Sequence, residues 1–138
     1  MAIHWAEPGY KAVGEYQLSG IPFVTSSILA DEEIRLIEFP RVVKSLIVRN
    51  ANTGSSATTM AVGFTANGII ANPVENTCFI SLDSGESLSV DLRIKDLFLS
   101  NTRSDKDAIE YEILAGLTDI SREKMFTLTG SSGFGGVG

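Results

Sequence analysis

The chain has 138 residues, a length that suits one domain, and 43% of them are hydrophobic, which is enough for a core and too many for a disordered chain. Seventeen acidic residues against 11 basic ones give a net charge of −6, a balance that disfavours nucleic acid, whose phosphates need a basic surface. The one cysteine, Cys78, excludes an intramolecular disulfide, and no stretch approaches the ~20 apolar residues of a membrane span.

Residues 1–20 contain the breakers Pro8-Gly9 and Gly14 and show no hydrophobic period, so they read as an extended N-terminal arm. They nevertheless carry Trp5, Tyr10 and Tyr16. The N-terminus has no basic region followed by an apolar block, so a signal peptide is not expected and folding in a cytoplasm-like compartment is. Gly20 to Val24 begins a short extended segment, with Pro22 pointing to an edge position. Glu32 to Phe39 (EEIRLIEF) and Val42 to Arg49 (VVKSLIVR) are rich in β-branched residues and separated by Pro40. A helix competes over residues 31–37, but this composition favours two strands.

Residues 50–56 (NANTGSS) form a polar loop, after which Met60, Val62 and Phe64 alternate along residues 58–65. Asn67-Gly68 predicts a type I′ turn, which needs positive φ at both central residues. Asn72-Pro73 breaks the chain again, and Cys78, Ile80 and Leu82 then share a face. Asp83-Ser84-Gly85-Glu86 reads as a tight hairpin connection. The clearest alternation follows, with Leu88, Val90, Leu92 and Ile94 between polar neighbours. Leu97 to Leu99 continues that strand or starts another. Ile109, Tyr111, Ile113 and Ala115 make the last clear strand, closed by Gly116, and residues 126–129 suggest a short edge strand.

Seven or eight short strands with turn chemistry between them predict an all-β fold, a single antiparallel β-sandwich of jelly-roll type. The expected organisation is an N-terminal arm over 1–20, a core over 21–118 and a glycine-rich C-terminal tail over 119–138. The expected inward set is Ile34, Leu36, Leu46, Val48, Val62, Phe64, Ile80, Leu82, Leu88, Val90, Leu92, Ile109, Tyr111 and Ile113. A one-residue slip would turn any of these strands over.

Few residues suggest chemistry. The tail glycines of 130–138 lack the strand before and helix after that a phosphate-cradling loop requires. Asp31-Glu32-Glu33 offers oxygen ligands for a hard cation, but without EF-hand spacing it reads as a solvated charge run. Asp91, Glu110 and Glu112 could supply the paired carboxylates of a glycosidase; an outward strand face balanced by Arg93 or Lys95 is the plainer reading. Ser55, Ser56 and Ser131 have no histidine beyond the arm to activate them, the one histidine being His4. Cys78, in an apolar run, reads as a small buried hydrophobe. No cofactor, metal or catalytic residue is expected, and the chain reads as a structural protein rather than an enzyme.

What stands out is aromatic residues on Gly-rich ends, since such ends fray unless tied down. Trp5, Tyr10, Tyr16, Phe126 and Phe134 are therefore expected to anchor interfaces with neighbouring subunits. Stacking of Trp5 or Tyr10 on sugar rings is the competing use.

The ends also carry a likeness. His4-Trp5-Ala6-Glu7-Pro8-Gly9-Tyr10, then Gly14-Glu15-Tyr16-Gln17 and Ser19 to Phe23, resemble small structural proteins of tailed bacteriophages, marine and cyanobacterial ones above all. Glu38 to Val43, Ala115 to Thr118 and the closing Ser131-Ser132-Gly133 with Gly136-Val137-Gly138 are similar too. The resemblance implies a virion component made in the host cytoplasm and present in many copies. Its foremost expected role is a capsid decoration or cement protein, homo-oligomeric and bound to other virion proteins. The alternatives are a neck, collar or tail component, or a carbohydrate-binding receptor-recognition module. Neither nucleic acid nor membrane is an expected partner.

Overall fold

A computed structural model describes residues 9–52, 58–69, 78–101, 107–128 and 136–137. A short helix α1 (Val13–Gln17) precedes seven strands: β1 (Ile21–Leu29), β2 (Ile34–Asn50), β3 (Thr59–Gly63), β4 (Phe79–Asp83), β5 (Ser87–Val90), β6 (Ile94–Ser100) and β7 (Ile109–Ser121). A 3₁₀ turn (Arg122–Lys124) follows. Every described pairing is antiparallel, so the chain is all-β as expected. The sheet runs β1-β7-β2-β6-β3-β4, with β5 also on β2.

One strand shapes the whole sheet. Leu29 lies opposite Ile109, and two residues on, Tyr111 lies opposite Asn50 at the end of β2. Yet Ile34, at the start of β2, follows Leu29 by five residue steps, a reach of at most ~18 Å. A straight strand of 17 residues would hold its ends ~50 Å apart. Strand β2 must therefore turn back on itself. The turn falls where the pairing register shifts, between Glu38 and Ser45, and Pro40 sits within it. Such corners are how one strand serves two packed layers. The first half of β2 joins β6, β3 and β4; the second half joins β7, β1 and β5. Both layers feed one core, which holds Leu29 from one sheet edge and Leu82 from the other.

The strand expected over 109–115 is present, with Ile109, Tyr111, Ile113, Ala115 and Leu117 buried and Glu110, Glu112 and Leu114 outward. It continues to Ser121, past the expected core boundary at 118. Leu46, Val48, Val62 and Leu82 are buried as expected, and Phe64, Leu88, Val90 and Leu92 pack partly buried against the core.

Other expectations are corrected. The two strands expected around Pro40 are one bent strand. Ile34 and Leu36 face outward, because Phe39 sets the parity. Its ring packs edge-on to Phe23 at 5.2 Å, which turns Arg35 and Ile37 inward with it. Ile80 lies opposite buried Val62 but remains half-exposed on edge strand β4. Asn67-Gly68 is no type I′ turn, since neither residue has positive φ; the Thr65 hydroxyl instead accepts from the Gly68 N–H at 2.9 Å. Residues 83–86 do form a tight turn, with Gly85 at φ 82° and Glu86 N–H donating to the Asp83 carbonyl at 2.9 Å. The turn links β4 to β5 across the layers rather than closing a hairpin, as β4 pairs with β3 and β5 with β2. The long alternation from Leu88 to Ile94 is cut at 91–93, where the chain crosses from one half of β2 to the other. Residues 126–128 add no strand.

Candidate functional site

The described part of the arm is not extended throughout: it makes one helical turn and packs on its own chain. Val42 and Val43 are neighbours and both fully buried, yet they belong to separate clusters, as successive strand residues face opposite sides. Val43 enters the main core. Val42 joins Ile120 and Met125 on the outer face of the corner, and Tyr10 and Tyr16 cover them. The Tyr16 hydroxyl donates to the Tyr10 carbonyl at 2.6 Å, and the Tyr10 ring meets Phe126 edge-on at 5.2 Å. The Glu15 carboxylate accepts from the Asp119 N–H at 3.2 Å, and the Lys44 ammonium donates to the Leu18 carbonyl. The C-terminal side is clamped as well. Arg122 donates to the Phe39 carbonyl at 2.7 Å and pairs with Asp96 at 2.8 Å, while Lys95 donates to the Met125 carbonyl at 2.9 Å.

Three of the five expected interface aromatics, Tyr10, Tyr16 and Phe126, thus meet one another within a single chain. Trp5 and Phe134 lie outside the described residues, as do His4, Ser55, Ser56 and Ser131.

Between α1 and the 91–93 crossing lies an open groove of about 800 Å³, lined by Lys11, Tyr16, Lys44, Asp91 and Arg93 with apolar Val13 and Leu92. The Arg93 guanidinium stands over the Tyr16 ring at 5.2 Å and the Lys11 ammonium 5.6 Å from the Tyr10 ring. Burial raises the pKa of Tyr16, and Arg93 opposes that in part, so the phenol stays neutral at physiological pH. Among the described residues, none of Lys11, Lys44 and Arg93 is in an ion pair. On a chain of net charge −6 this is a cationic pocket. Alternation along one strand could not reveal it, because its cations lie on the arm, the corner and the crossing.

The second feature is on the same outer face, beyond the reach of α1. Val24 of β1 lies opposite Leu114 of β7, which lies opposite Ile47 of β2. These three side chains form an apolar row across three strands, and they are 72%, 44% and 40% exposed. Among the described residues β1 pairs only with β7 and forms one edge of the sheet, nine residues long, with Ile21 and Ile28 also exposed. An exposed apolar edge of this length is a template for further pairing unless something covers it.

The carboxylates weighed for glycosidase chemistry do not converge. Asp91 lines the groove, whereas Glu110 and Glu112 stand on the outer face of β7, where Glu112 is 3.7 Å from Arg49. Cys78 is half-buried beside β4. Among the described residues no cluster of three metal-ligating side chains occurs, and no helix is long and apolar enough to cross a membrane.

No family model and no curated protein matches the chain. Among solved structures, it is similar to IMPa from Pseudomonas aeruginosa, determined in complex with an O-glycopeptide. The identity there is 14% and the TM-score 0.40, over 81% of this chain and 14% of that one. It is also similar to PliG of Aeromonas hydrophila, a periplasmic inhibitor of g-type lysozyme, at 12% identity and a TM-score of 0.37, over 83% of this chain and 92% of that one. At TM-scores below 0.5, neither likeness carries an argument about this chain.

Proposed function

We propose that this protein is a non-enzymatic structural component of a phage virion, a shell decoration or cement protein that joins neighbouring subunits. The resemblance of its ends to small virion proteins supports the setting. The observation that carries the assembly role is the row Val24–Leu114–Ile47 beside the β1 edge. A soluble acidic chain that leaves such a row open gains by covering it, at ~25 cal/mol per Å² of apolar surface removed from water. The arm also has a task within its own chain. It roofs the Val42–Ile120–Met125 cluster and so stiffens the face that docks.

Quantitative mass spectrometry of purified particles tests the setting. A decoration protein is present at on the order of hundreds of copies per virion, a neck ring at about a dozen, as a closed ring requires. Absence of the chain from particles would overturn the proposal.

A further inference from the structure

We propose that the cationic groove receives the acidic β1–β2 turn of a second copy, so that copies associate head to tail. The inference goes beyond the assembly role above: it concerns a different surface and rests on charge rather than on the apolar row.

The two surfaces lie at opposite ends of the molecule. Strand β1 starts beside Leu18, which Lys44 holds, and ends nine residues later at the turn 30–33. At the groove end, Lys11, Lys44 and Arg93 face an open volume of about 800 Å³ that contains one carboxylate, Asp91. At the turn end, Asp31 and Glu32 are exposed, and among the described residues the cation beside them, Arg35, pairs with Glu33 at 2.6 Å. Asp83, Glu86 and Glu110 lie toward the same end of the strands and deepen its negative charge.

The acidic turn is also held rigid. The Glu32 N–H donates to the Asn101 carbonyl at 3.2 Å, and the Asn101 N–H to the Glu33 carbonyl at 2.9 Å. The two N–H groups of the buried Asn101 side-chain amide are shared among the Leu29, Ala30 and Asp107 carbonyls, which lie 3.1, 3.0 and 2.8 Å from its nitrogen. Glu32 sits at φ 60°, a backbone position that glycine or asparagine fills with less strain. A fixed acidic projection and a fixed cationic recess on one chain make a heterologous contact, which closes into rings or runs on as a filament. Two copies of net charge −6 repel at long range. Physiological salt, with a Debye length of ~8 Å, screens that repulsion more than the close pairs in the groove.

The test uses the full chain carrying Leu114→Lys, which removes the apolar contact, with native mass followed by sedimentation in ~0.15 M salt. In this background, Lys44→Glu/Arg93→Glu and Asp31→Lys/Glu32→Lys each weaken self-association by about tenfold or more. An equal mixture of the two restores it, because each reversed surface meets its reversed complement. Lys44 also holds the Leu18 carbonyl, so Lys11→Glu, which leaves that bond intact, must weaken association too. A mixture that fails to reassociate, a turn variant that associates like its parent, or a parent that is monomeric at every concentration would each overturn the contact. None of these outcomes bears on the apolar row, whose own test uses high salt.

Discussion

The guanidinium of Arg35 donates to the phenol oxygen of Tyr111 at 3.1 Å across 76 residues of sequence, and it joins the two layers of the bent sheet. Arg35 belongs to the first half of β2 and Tyr111 to β7. The same guanidinium donates to the Ser27 hydroxyl at 3.1 Å and pairs with Glu33 at 2.6 Å. One partly buried cation therefore ties β1 and β7 of one layer to the first half of β2 in the other. Arg35→Ala leaves the Glu33 carboxylate and the Tyr111 hydroxyl without their partner. It should cost about 1–3 kcal/mol in denaturant unfolding, and Tyr111→Phe about 1 kcal/mol. Equal midpoints for wild type and Arg35→Ala would show that the bridge contributes nothing.

Close backbone approach gives the second prediction. A Cβ on Gly20 would lie 2.7 Å from the Gly116 Cα, and one on Gly116 2.5 Å from the Ser45 hydroxyl oxygen. Backbone yields less readily than a hydroxyl that can rotate away. Gly20→Ala should thus destabilise by about 1–3 kcal/mol and Gly116→Ala by less. At Gly14, inside α1, a Cβ meets nothing within 4 Å. Gly14→Ala should leave stability unchanged or raise it by up to ~1 kcal/mol. Thermal melts of the three variants rank them directly.

Arm docking should depend on pH at the alkaline end. Burial raises the Tyr16 pKa above its ordinary 10.0, which means the folded arm favours the neutral phenol. A group with a raised folded pKa contributes stability that is complete below its unfolded pKa and lost as pH rises through the folded one. Protease cleavage between arm and body should therefore accelerate above about pH 10. Tyr16→Phe loses the bond to the Tyr10 carbonyl, and with it this alkaline step. A cleavage rate that rises identically in Tyr16→Phe would exclude Tyr16 as the titrating group.

Val90 sits opposite fully buried Leu46 and packs against the main core. Val90→Asp places a carboxylate against that apolar cluster, and should cost about 2 kcal/mol or more. A normal melting temperature would show that β5 is not held in this register.

Strands that bury one face and wet the other were legible in the sequence, because each alternates on its own. Ile109 to Ala115 shows this best: one face is buried, the other wet, and the period of two decides the rest. Residues 34–39 were not legible in the same way, as Ile34 and Leu36 are as apolar as Ile37 and Phe39. Only the Phe23–Phe39 contact, made by a distant strand, chooses between the two faces. Pro40 marked a break without telling a bend within one strand from a gap between two. Tyr10 and Tyr16 of the arm and Phe126 of the tail read as anchors for neighbouring subunits, and no local pattern announced that they also meet within the chain, over the Val42 cluster. The groove left no trace, since Lys11, Lys44 and Arg93 come together only after the corner of β2 has formed.

The apolar row is the centre of the assembly account, and the native mass by light scattering in ~1 M salt tests it most directly. There the Debye length is about 3 Å, so charged contacts are screened and apolar ones persist. A discrete oligomer is expected for wild type and a folded monomer for Leu114→Lys, whose cooperative melt falls below that of wild type only by what association adds to the latter, since Leu114 is exposed in the free chain. Identical masses for the two proteins would contradict it.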